Sequence, residues 1–405
     1  MTESIRMLHF ADAHIGMENY GRIDPETGTS SRVRDFLDRL DEVIDYAINH
    51  EVDLAVFAGD AFKNRDPDPT QQREFAARIK RLADAAPTLL LVGNHDMPAM
   101  ASKANSVDIF RALQVPNILI GWQPEGQVVE TRRGPVYLAW MPYPMRNRLL
   151  SREAYQGKTI DELEAILRQT VSDILGDLTQ QASEHDMPRV LAGHFSVAEA
   201  KLGSERSVML GRDVAVHQST LADESWDYVA MGHIHRHQLV NPGMYPPVVY
   251  SGSLERIDFG EEGEPKGFCW VELARGKTEW RFVPVQARRF RTIAVDATGA
   301  DDPTEAVLAQ VAVAEPGEVV RVVVNLRDDQ QSVFREREVQ RTLEAASSVS
   351  VVRQVEVGAR MRLSEASAEA LAPLELVERY LASRQVPADR VEALLAEARA
   401  LMETT

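Results

Sequence analysis

The chain has 405 residues, of which 44% are hydrophobic and 26% charged, a balance typical of globular proteins with two or three domains. Its single cysteine, Cys269, excludes a disulfide framework and a cysteine-rich zinc site, and fits a reducing compartment. The net charge of −17 argues against a protein that coats nucleic acid nonspecifically. The N-terminus lacks the apolar stretch of a signal peptide, and no apolar run approaches the ~20 residues that cross a bilayer. We therefore expect a cytoplasmic protein with no membrane partner.

Short apolar runs alternate with amphipathic stretches from the N-terminus to about residue 285, which predicts an α/β domain. The apolar runs that we interpret as strands are RMLHF, LAVFAG, TLLLVG, VYLAWM, RVLAGH, YVAMGH and VVYSGS. Between them, apolar residues recur at helical spacing over 33–47 and again over 163–178, which predicts two long amphipathic helices.

The pattern changes after Arg291. Strand and helix signals in the order β-α-β-α-β predict a small α+β domain that ends near residue 360. Beyond it lie only helical stripes, formed by Leu374, Val377 and Leu381 and then by Val391, Leu394, Leu395, Ala398 and Met402. We expect domains at 1–285, 286–360 and 361–405, the last a helical hairpin too short to build a core alone.

Five of the apolar runs end in polar residues of the kind that bind metal ions. They supply Asp12 with His14, Asp60, the Gly93–Asp96 segment, His194, and His233 with His235. In an α/β layer, ligands collect at the carboxyl ends of strands, so we expect these side chains to meet. The glycines beside them allow positive φ angles or close backbone approach where the chain leaves the sheet.

These side chains offer oxygen and imidazole nitrogen but no thiolate, a set that suits manganese, iron or zinc better than calcium. Seven potential ligands are too many for one catalytic ion, and with a shared carboxylate they suit two. The seven are Asp12, His14, Asp60, Asn94, His194, His233 and His235. Two ions ~3.5–4 Å apart clamp the attacking and leaving oxygens of an in-line displacement at phosphorus. The remaining histidines do not follow such strands, and we expect them to be structural: His9, His50, His185, His217 and His237.

The motifs Asp-x-His, Gly-Asp, Gly-Asn-His-Asp, Gly-His and Gly-His-x-His, in this order, resemble the calcineurin-like metallophosphoesterase superfamily. The segment YSGSLERIDFGE (250–261) more closely resembles the SbcD family of DNA double-strand-break repair nucleases, counterparts of the meiotic recombination eleven nuclease. The resemblance covers residues 6 to about 262. The α+β unit is similar to that family's DNA-capping domain by layout only, and the tail resembles the segment that docks on the SbcC ATPase.

This resemblance implies a four-layer α/β/β/α metallophosphoesterase domain, followed by a capping domain and a C-terminal helical hairpin. It places Asp12, His14 and His235 on one manganese ion and Asn94, His194 and His233 on the other, with Asp60 bridging. Magnesium, iron and zinc are the alternative metals. It assigns His95 to protonating the leaving oxygen or stabilising the phosphate, a task that suits imidazole, and assigns Asp96 to orienting the His95 ring.

The implied function is manganese-dependent hydrolysis of DNA in double-strand-break repair, recombination and replication. The family acts as a 3′→5′ exonuclease on duplex ends and as an endonuclease on single-stranded or hairpin DNA. The implied partners are DNA, an SbcC-type ATPase bound through the C-terminal helices, and a second copy of the chain, which together form a heterotetramer. For the homodimer contact, residues 105–113 and the 33–47 helix are the alternatives, although the latter fits a helix that only covers the sheet equally well.

Two other functions remain open from the residues. One is a metallophosphoesterase that acts on small nucleotides or phosphoproteins, and the other is a DNA-end tether with structural metals. Two arginine clusters could contact DNA phosphates, and an ordinary solvated charged surface is an equally good interpretation of each. The clusters are Arg146, Arg148 and Arg152, and Arg288, Arg289 and Arg291.

Overall fold

The computed structural model describes residues 3–26, 28–98, 103–145, 149, 157–203, 213–356, 374–375, 377–378, 381 and 388–403. The chain divides into two compact units. The first contains residues 1–292, 314–321 and 344–349, and the second contains residues 293–313, 322–343 and 350–405. The domain boundaries at 285 and 360 stay predictions.

Two six-stranded sheets form the centre of the first unit. Its described strands are β1 (Ile5–Phe10), β2 (Leu54–Phe57), β3 (Thr88–Leu91), β4 (Ile118–Gly121), β5 (Glu125–Thr131), β6 (Gly134–Met141), β7 (Arg189–His194), β8 (Ser196–Val197), β9 (Ala215–Val216), β10 (Tyr228–Gly232), β11 (Gln238–Leu239), β12 (Val248–Tyr250), β13 (Gly267–Leu273) and β14 (Glu279–Pro284). The sheet orders are β14-β13-β1-β2-β3-β4 and β11-β12-β10-β7-β6-β5. All seven predicted strands are confirmed, whereas β4, β5, β13, β14 and the two-residue strands β8, β9 and β11 were not predicted.

The helices of this unit are α1 (Ser31–Asn49), α2 (Pro69–Ala85), α3 (Asp108–Ala112) and α4 (Ile160–Ser183). Side chains at the N-termini of the long helices satisfy backbone N–H groups that have no partner within the helix. Asp68 accepts from the N–H groups of Thr70 and Gln71 at the start of α2. Thr159 and Glu162 form a reciprocal capping box at the start of α4.

The two sheets pack face to face, with helices on both outer surfaces. Alternate residues of β1 point to opposite sides, so that Met7 joins the core between the sheets and Leu8 joins the core beneath α1 and α2. Helix α4 covers the other sheet with Leu167, Val171 and Leu175. This arrangement confirms the predicted four-layer α/β/β/α fold.

The apolar stripe of α1 is buried within the first unit. Val33, Leu40 and Ile44 lie in the core between this helix and the first sheet. Of the two interpretations of the 33–47 stripe, the structure favours the one in which the stripe covers the sheet. The homodimer and its contact stay predictions. Exposed apolar side chains lie instead at the short helix α3, where Ile109 is 54% and Leu113 69% exposed.

The segment 290–356, most of which belongs to the second unit, has the predicted β-α-β-α-β order. Its elements are β15 (Phe290–Asp296), α5 (Pro303–Val311), β16 (Val319–Arg327), α6 (Glu336–Thr342) and β17 (Ser348–Glu356), with the strands in the sheet order β15-β16-β17. Val307, Val324 and Val339 are among its buried apolar residues. Of the predicted C-terminal hairpin, the structure describes the second helix, α7 (Ala388–Glu403), and only isolated positions of the first. No helix in the described ranges is long and apolar enough to span a bilayer.

A buried ion pair fastens α1 to the rest of the first unit. The guanidinium of Arg32 is fully buried, lies 5.2 Å from the centre of the Phe36 ring and donates to Asp35 over 2.7 Å. Arg288 also donates to Asp35, and the Arg32 guanidinium lies 3.8 Å from Glu255. Asp35 is thus the carboxylate that two arginines share.

We expect Asp35→Ala to destabilise the protein by about 3–5 kcal/mol, because it leaves a buried guanidinium without its main counter-charge. Chemical denaturation of both proteins measures the change in the free energy of unfolding. Asp38→Ala, one turn further along the same helix and exposed, is the matched control and should change it by less than about 0.5 kcal/mol. Equal effects of the two substitutions would contradict the role given to Asp35.

Candidate metal centre

The backbone is strained where the predicted ligands lie. β1, β2 and β3 are neighbours in one sheet, and β7 and β10 are neighbours in the other, so their carboxyl ends meet. Four residues that follow these strands have positive φ angles although none is glycine: Asp12 (53°), His14 (42°), Asp60 (61°) and His233 (96°). Such conformations cost of order 1–3 kcal/mol each and concentrate at functional sites.

Two glycines let the ligand loops approach each other closely. Gly59 has a φ of 101°, and a Cβ on it would lie 2.3 Å from Nδ1 of His194. A Cβ on Gly93 would lie 2.1 Å from Oδ1 of Asp60. Both distances are impossible for a real side chain, so the predicted need for glycine at these positions is confirmed.

Asp12, His14 and His235 form the first cluster, with potential ligand atoms within 4.8 Å of one another. Nε2 of His14 and Nε2 of His235 are 2.9 Å apart. Burial and the neighbouring His235 hold the pKa of His14 well below its ordinary value, so this ring is neutral. Facing imidazole nitrogens beside a carboxylate fit a divalent cation.

Asp60, His194 and His233 form the second cluster, and Asn94 lies within it. The amide oxygen of Asn94 is 3.1 Å from Nε2 of His194 and 2.9 Å from Nδ1 of His233. His194 donates Nδ1–H to the carbonyl of Ala58 over 2.6 Å, which leaves Nε2 directed at the cluster. Three side chains thus present two ring nitrogens and an amide oxygen to one point.

Asp60 lies between the two clusters. Its Oδ2 is 3.4 Å from Nε2 of His194 in one cluster and 3.9 Å from Nε2 of His14 in the other. Burial opposes ionisation, but the charge and hydrogen bond of His194 outweigh burial and hold the pKa of Asp60 well below its ordinary value. Burial likewise opposes protonation of His194, and Asp60 outweighs it, raising the pKa of His194 to about 9. A bound divalent cation would take the place of that proton as the charge partner of Asp60. The donor set of the two clusters, with Asp60 between them, would suit two such ions.

His95 follows Asn94 and faces the same place. Its backbone N–H donates to Oδ1 of Asp60 over 2.8 Å, and its ring lies 5.0 Å from the His14 ring. The ring donates Nδ1–H to the carbonyl of Lys63 over 2.7 Å, which leaves Nε2 as the nitrogen able to exchange a proton.

Asp96 does not orient the His95 ring, and this expectation is wrong. Its carboxylate accepts from the backbone N–H groups of Asp60, Ala61 and Gly93 at 2.9–3.0 Å and from the hydroxyl of Ser106 at 3.1 Å. Asp96 therefore joins the loop after β2 to the loop after β3. Burial, together with the nearby charge of Asp60, raises the pKa of Asp96 to about 6. Its place in the structure is that of a positioning residue.

Three charged residues that support the site were not among the predicted site residues. Nδ1–H of His235 donates to Glu261 over 2.9 Å, and Glu261 pairs with the fully buried Nζ of Lys266, also at 2.9 Å. Nε2–H of His233 donates to Asp213 over 2.8 Å. These carboxylates fix which nitrogen of each imidazole faces the cluster. Glu261 closes the segment YSGSLERIDFGE, so a signal for it was present in the sequence, whereas nothing marked Asp213 or Lys266.

Glu261→Gln should weaken metal binding by about 10–100-fold while leaving the ligands themselves in place. The carboxylate of Glu261 accepts from both His235 and Lys266, whereas the amide has only one oxygen that can accept. The ring of His235 is therefore held less firmly with Nε2 towards the cluster. Isothermal titration of metal-free protein with Mn²⁺ measures the affinity. Glu272→Gln, on the exposed side of β13, is the control, and an unchanged affinity in Glu261→Gln would refute this role.

The five histidines predicted to be structural all lie in structural settings. His9, His50 and His237 contact backbone carbonyls, His185 stacks on Tyr137, and His217 pairs with Glu199 at the surface.

Of the two arginine clusters, the first, at residues 146, 148 and 152, lies outside the described residues. Arg288, Arg289 and Arg291 pair with Asp35, Glu315 and Glu318, respectively, which favours their interpretation as structural.

Two buried clusters of oxygen and imidazole donors, with Asp60 between them, lie at the carboxyl ends of strands in two packed sheets. This fold and donor set define a dinuclear metallophosphoesterase, a metal-dependent enzyme that hydrolyses phosphate esters.

Comparison with known families agrees with this class. Residues 5–237, more than half of the chain, match the family described as Calcineurin-like phosphoesterase. The chain belongs to this family.

Among curated relatives, the SbcD component of the nuclease SbcCD from Bacillus subtilis (strain 168) is 29% identical over 286 residues, 67% of each chain. The component of the same name from Escherichia coli (strain K12) is 27% identical, over 68% of this chain and 66% of its own. The DNA double-strand break repair protein Mre11 from Haloferax volcanii is 27% identical, over 81% of this chain and 62% of its own. The chain thus matches about two thirds of the length of these relatives, and the resemblance inferred from the motifs is confirmed.

Proposed function

We propose that the chain is a DNA nuclease that hydrolyses phosphodiester bonds with two manganese ions. The observation that carries the proposal is the pair of buried ligand clusters that share Asp60. The relatives add the substrate, since they are named as components of the nuclease SbcCD or as a break-repair protein. Bound metal ions supply charge to activate water and to stabilise the phosphorane-like transition state.

The residues around the clusters have distinct tasks in this proposal. Asp12, His14, Asp60 and His235 hold one ion, and Asn94, His194 and His233, again with Asp60, hold the other. His95 transfers a proton through Nε2 to the leaving oxygen of the cleaved strand or stabilises the phosphate. Asp96, Asp213 and Glu261 keep these groups in place. We propose 3′→5′ exonuclease activity on duplex ends and endonuclease activity on hairpin or single-stranded DNA, in break repair and recombination in the cytoplasm.

The decisive experiment uses metal-stripped full-length protein refilled with Mn²⁺, Mg²⁺, Fe²⁺ or Zn²⁺. Its substrates are end-labelled linear duplex DNA, hairpin DNA and circular single-stranded DNA. We expect cutting of all three, fastest with Mn²⁺, and no cutting with a chelator present. Efficient hydrolysis of p-nitrophenyl phosphate or of a phosphoprotein without DNA cutting would favour the small-substrate alternative. DNA binding without hydrolysis of any substrate would favour the tether.

We further propose that the chain works as a homodimer bound to an SbcC-type ATPase, in a heterotetramer on DNA. The exposed residues Ile109 and Leu113 at α3 support the dimer contact, and a monomer by light scattering at micromolar concentration would contradict it. The helix α7 supports the ATPase contact, because Leu394 on its predicted apolar stripe is 40% exposed.

Deleting residues 361–405 should leave a folded nuclease that cuts simple substrates in a metal-dependent way. Copurification with the SbcC-type ATPase, and any stimulation by ATP, should be lost, because the helices that bind it by their apolar faces are absent. Size-exclusion chromatography of the mixed proteins measures the association. Unfolding or aggregation of the truncated chain would instead place these helices in its own core.

A further inference from the structure

An apolar cavity lies directly beside the metal centre. It has a volume of about 390 Å³, within the range of pockets that hold small organic groups. Its walls include two aromatic residues, Trp122 and Tyr143, and three methionines, Met97, Met141 and Met145. No described residue that lines it carries a charge. The cavity is therefore unsuited to phosphate and suited to a flat apolar group.

Tyr143 forms the boundary between this cavity and the second cluster. The centre of its ring lies 5.6 Å from that of His233 and 6.5 Å from that of His194. A hydrogen bond joins the Tyr143 side chain to Asp213, which also accepts from His233. The backbone N–H of Tyr143 donates to the carbonyl of Val92 over 3.2 Å, beside the loop that carries Asn94. The ring is thus held in one place by the same groups that hold the metal ligands.

Trp122 forms another part of the wall, just after β4. The guanidinium of Arg111 lies over its ring at 5.0 Å, and the indole is only half-buried. Met97 directly follows Asp96, so the cavity and the metal centre share the loop after β3. Both aromatic residues are anchored to the core, yet each has surface in the cavity.

We propose that this cavity binds one nucleobase of the substrate, rotated out of the helix, next to the phosphodiester that the metal centre cleaves. The inference rests on the proposed nuclease function. A base is joined to its phosphate through a single sugar, so a base-binding pocket must lie beside the metal ions, as this cavity does. Aromatic stacking accepts any base, because every base has a π face. The base must be unpaired first, so the pocket favours frayed ends, hairpin loops and single strands.

The test combines a change in the protein with a change in the DNA. Trp122→Ala should slow cutting of intact DNA by about 5–100-fold with Mn²⁺, the usual effect of removing a stacking partner. Two further substrates each carry one abasic site, placed on one side or the other of the cleaved bond. With one of these two substrates, Trp122→Ala and wild type should cut at the same rate, because the base that the cavity binds is missing. Trp122→Phe keeps a stacking face and should restore most of the rate on intact DNA. Metal content and denaturant unfolding report whether the variants are folded.

A second measurement uses only the wild-type protein. DNA with 5-iododeoxyuridine beside the cleaved bond is irradiated in the complex, and the cross-linked peptide is identified by mass spectrometry. We expect cross-links to Trp122 or Tyr143. Cross-links elsewhere, or equal effects of Trp122→Ala on intact and abasic DNA, would overturn the pocket while leaving the nuclease in place. Wild-type protein that cuts no DNA with any of the four metals would overturn the proposed function, and the pocket with it.

Discussion

Asp60→Asn should leave a folded protein that binds far less metal and cuts DNA slower by several orders of magnitude. Among the described residues, Asp60 has a carboxylate oxygen that faces both clusters, at 3.4 Å from His194 and 3.9 Å from His14. A neutral amide cannot balance the charge of two divalent ions. The amide is close in shape to the carboxylate, and its oxygen can still accept from the backbone N–H of His95, so the loop should keep its conformation.

Metal analysis after gel filtration, cleavage rates and DNA affinity measure the three properties separately. DNA affinity should change much less than the rate, because the Asp60 side chain is buried and offers no surface for DNA to contact. The control is Asp66→Asn, an exposed carboxylate in the loop that follows Asp60. Full activity of Asp60→Asn with two ions bound would disprove the assignment of a shared carboxylate.

The parts of this site that could be predicted are those set by strand geometry. A ligand directly after an apolar strand has its position fixed by the sheet, so Asp12, Asp60, His194 and His233 could be expected to meet from the sequence alone. The four positive φ angles could not be predicted, since only glycine adopts them routinely, and Asp and His do so only occasionally. The neighbouring glycines 59 and 93 did indicate tight approach, and the structure gives the atoms that they accommodate.

The supporting charges could not be predicted, because they depend on long-range packing. Glu261 and Asp213 are 26 and 20 residues from the histidines that they hold, and no spacing rule relates them. For Asp96, in contrast, the sequence suggested a contact that the structure does not have. Its place next to His95 in the sequence suggested a contact between the two side chains, yet its carboxylate turns towards the backbone of Asp60 and Ala61. Adjacent side chains often point apart, and only the folded loop decides which donors are near.

The unpredicted strands have a different cause. The segments of β13 and β14, GFCWVEL and EWRFVP, carry aromatic and β-branched residues that are typical of strands. They pair antiparallel at the edge of the first sheet and end in no ligand. The alternation of strands and helices that predicts the other strands does not extend to β13 and β14, because they form an antiparallel pair with no helix between them. They nevertheless matter for the site, because β13 pairs with β1, whose end carries Asp12 and His14.

His95→Ala should separate proton transfer from metal binding. If His95 acts on the leaving oxygen, removing its ring should lower the rate of cutting by roughly 10²–10⁴-fold, the usual contribution of a general acid. Both ions should stay bound, since the other seven side chains still supply their ligands. The competing role is that of a metal ligand, because a nitrogen of His95 lies within 4.8 Å of potential ligand atoms of His14 and Asp60.

Metal analysis and single-turnover cleavage, done on the same preparation, distinguish the two roles of His95. Retention of two ions with a slow chemical step supports the acid. A substrate with a good leaving group, such as a 5′-p-nitrophenyl ester, should recover much of the lost rate, because it needs no proton as it departs. His217→Ala, at the surface and paired with Glu199, is the control for removing an imidazole. Loss of one ion together with activity would make His95 a metal ligand, and Nδ1 donation to Lys63 would then serve to direct Nε2 at that ion.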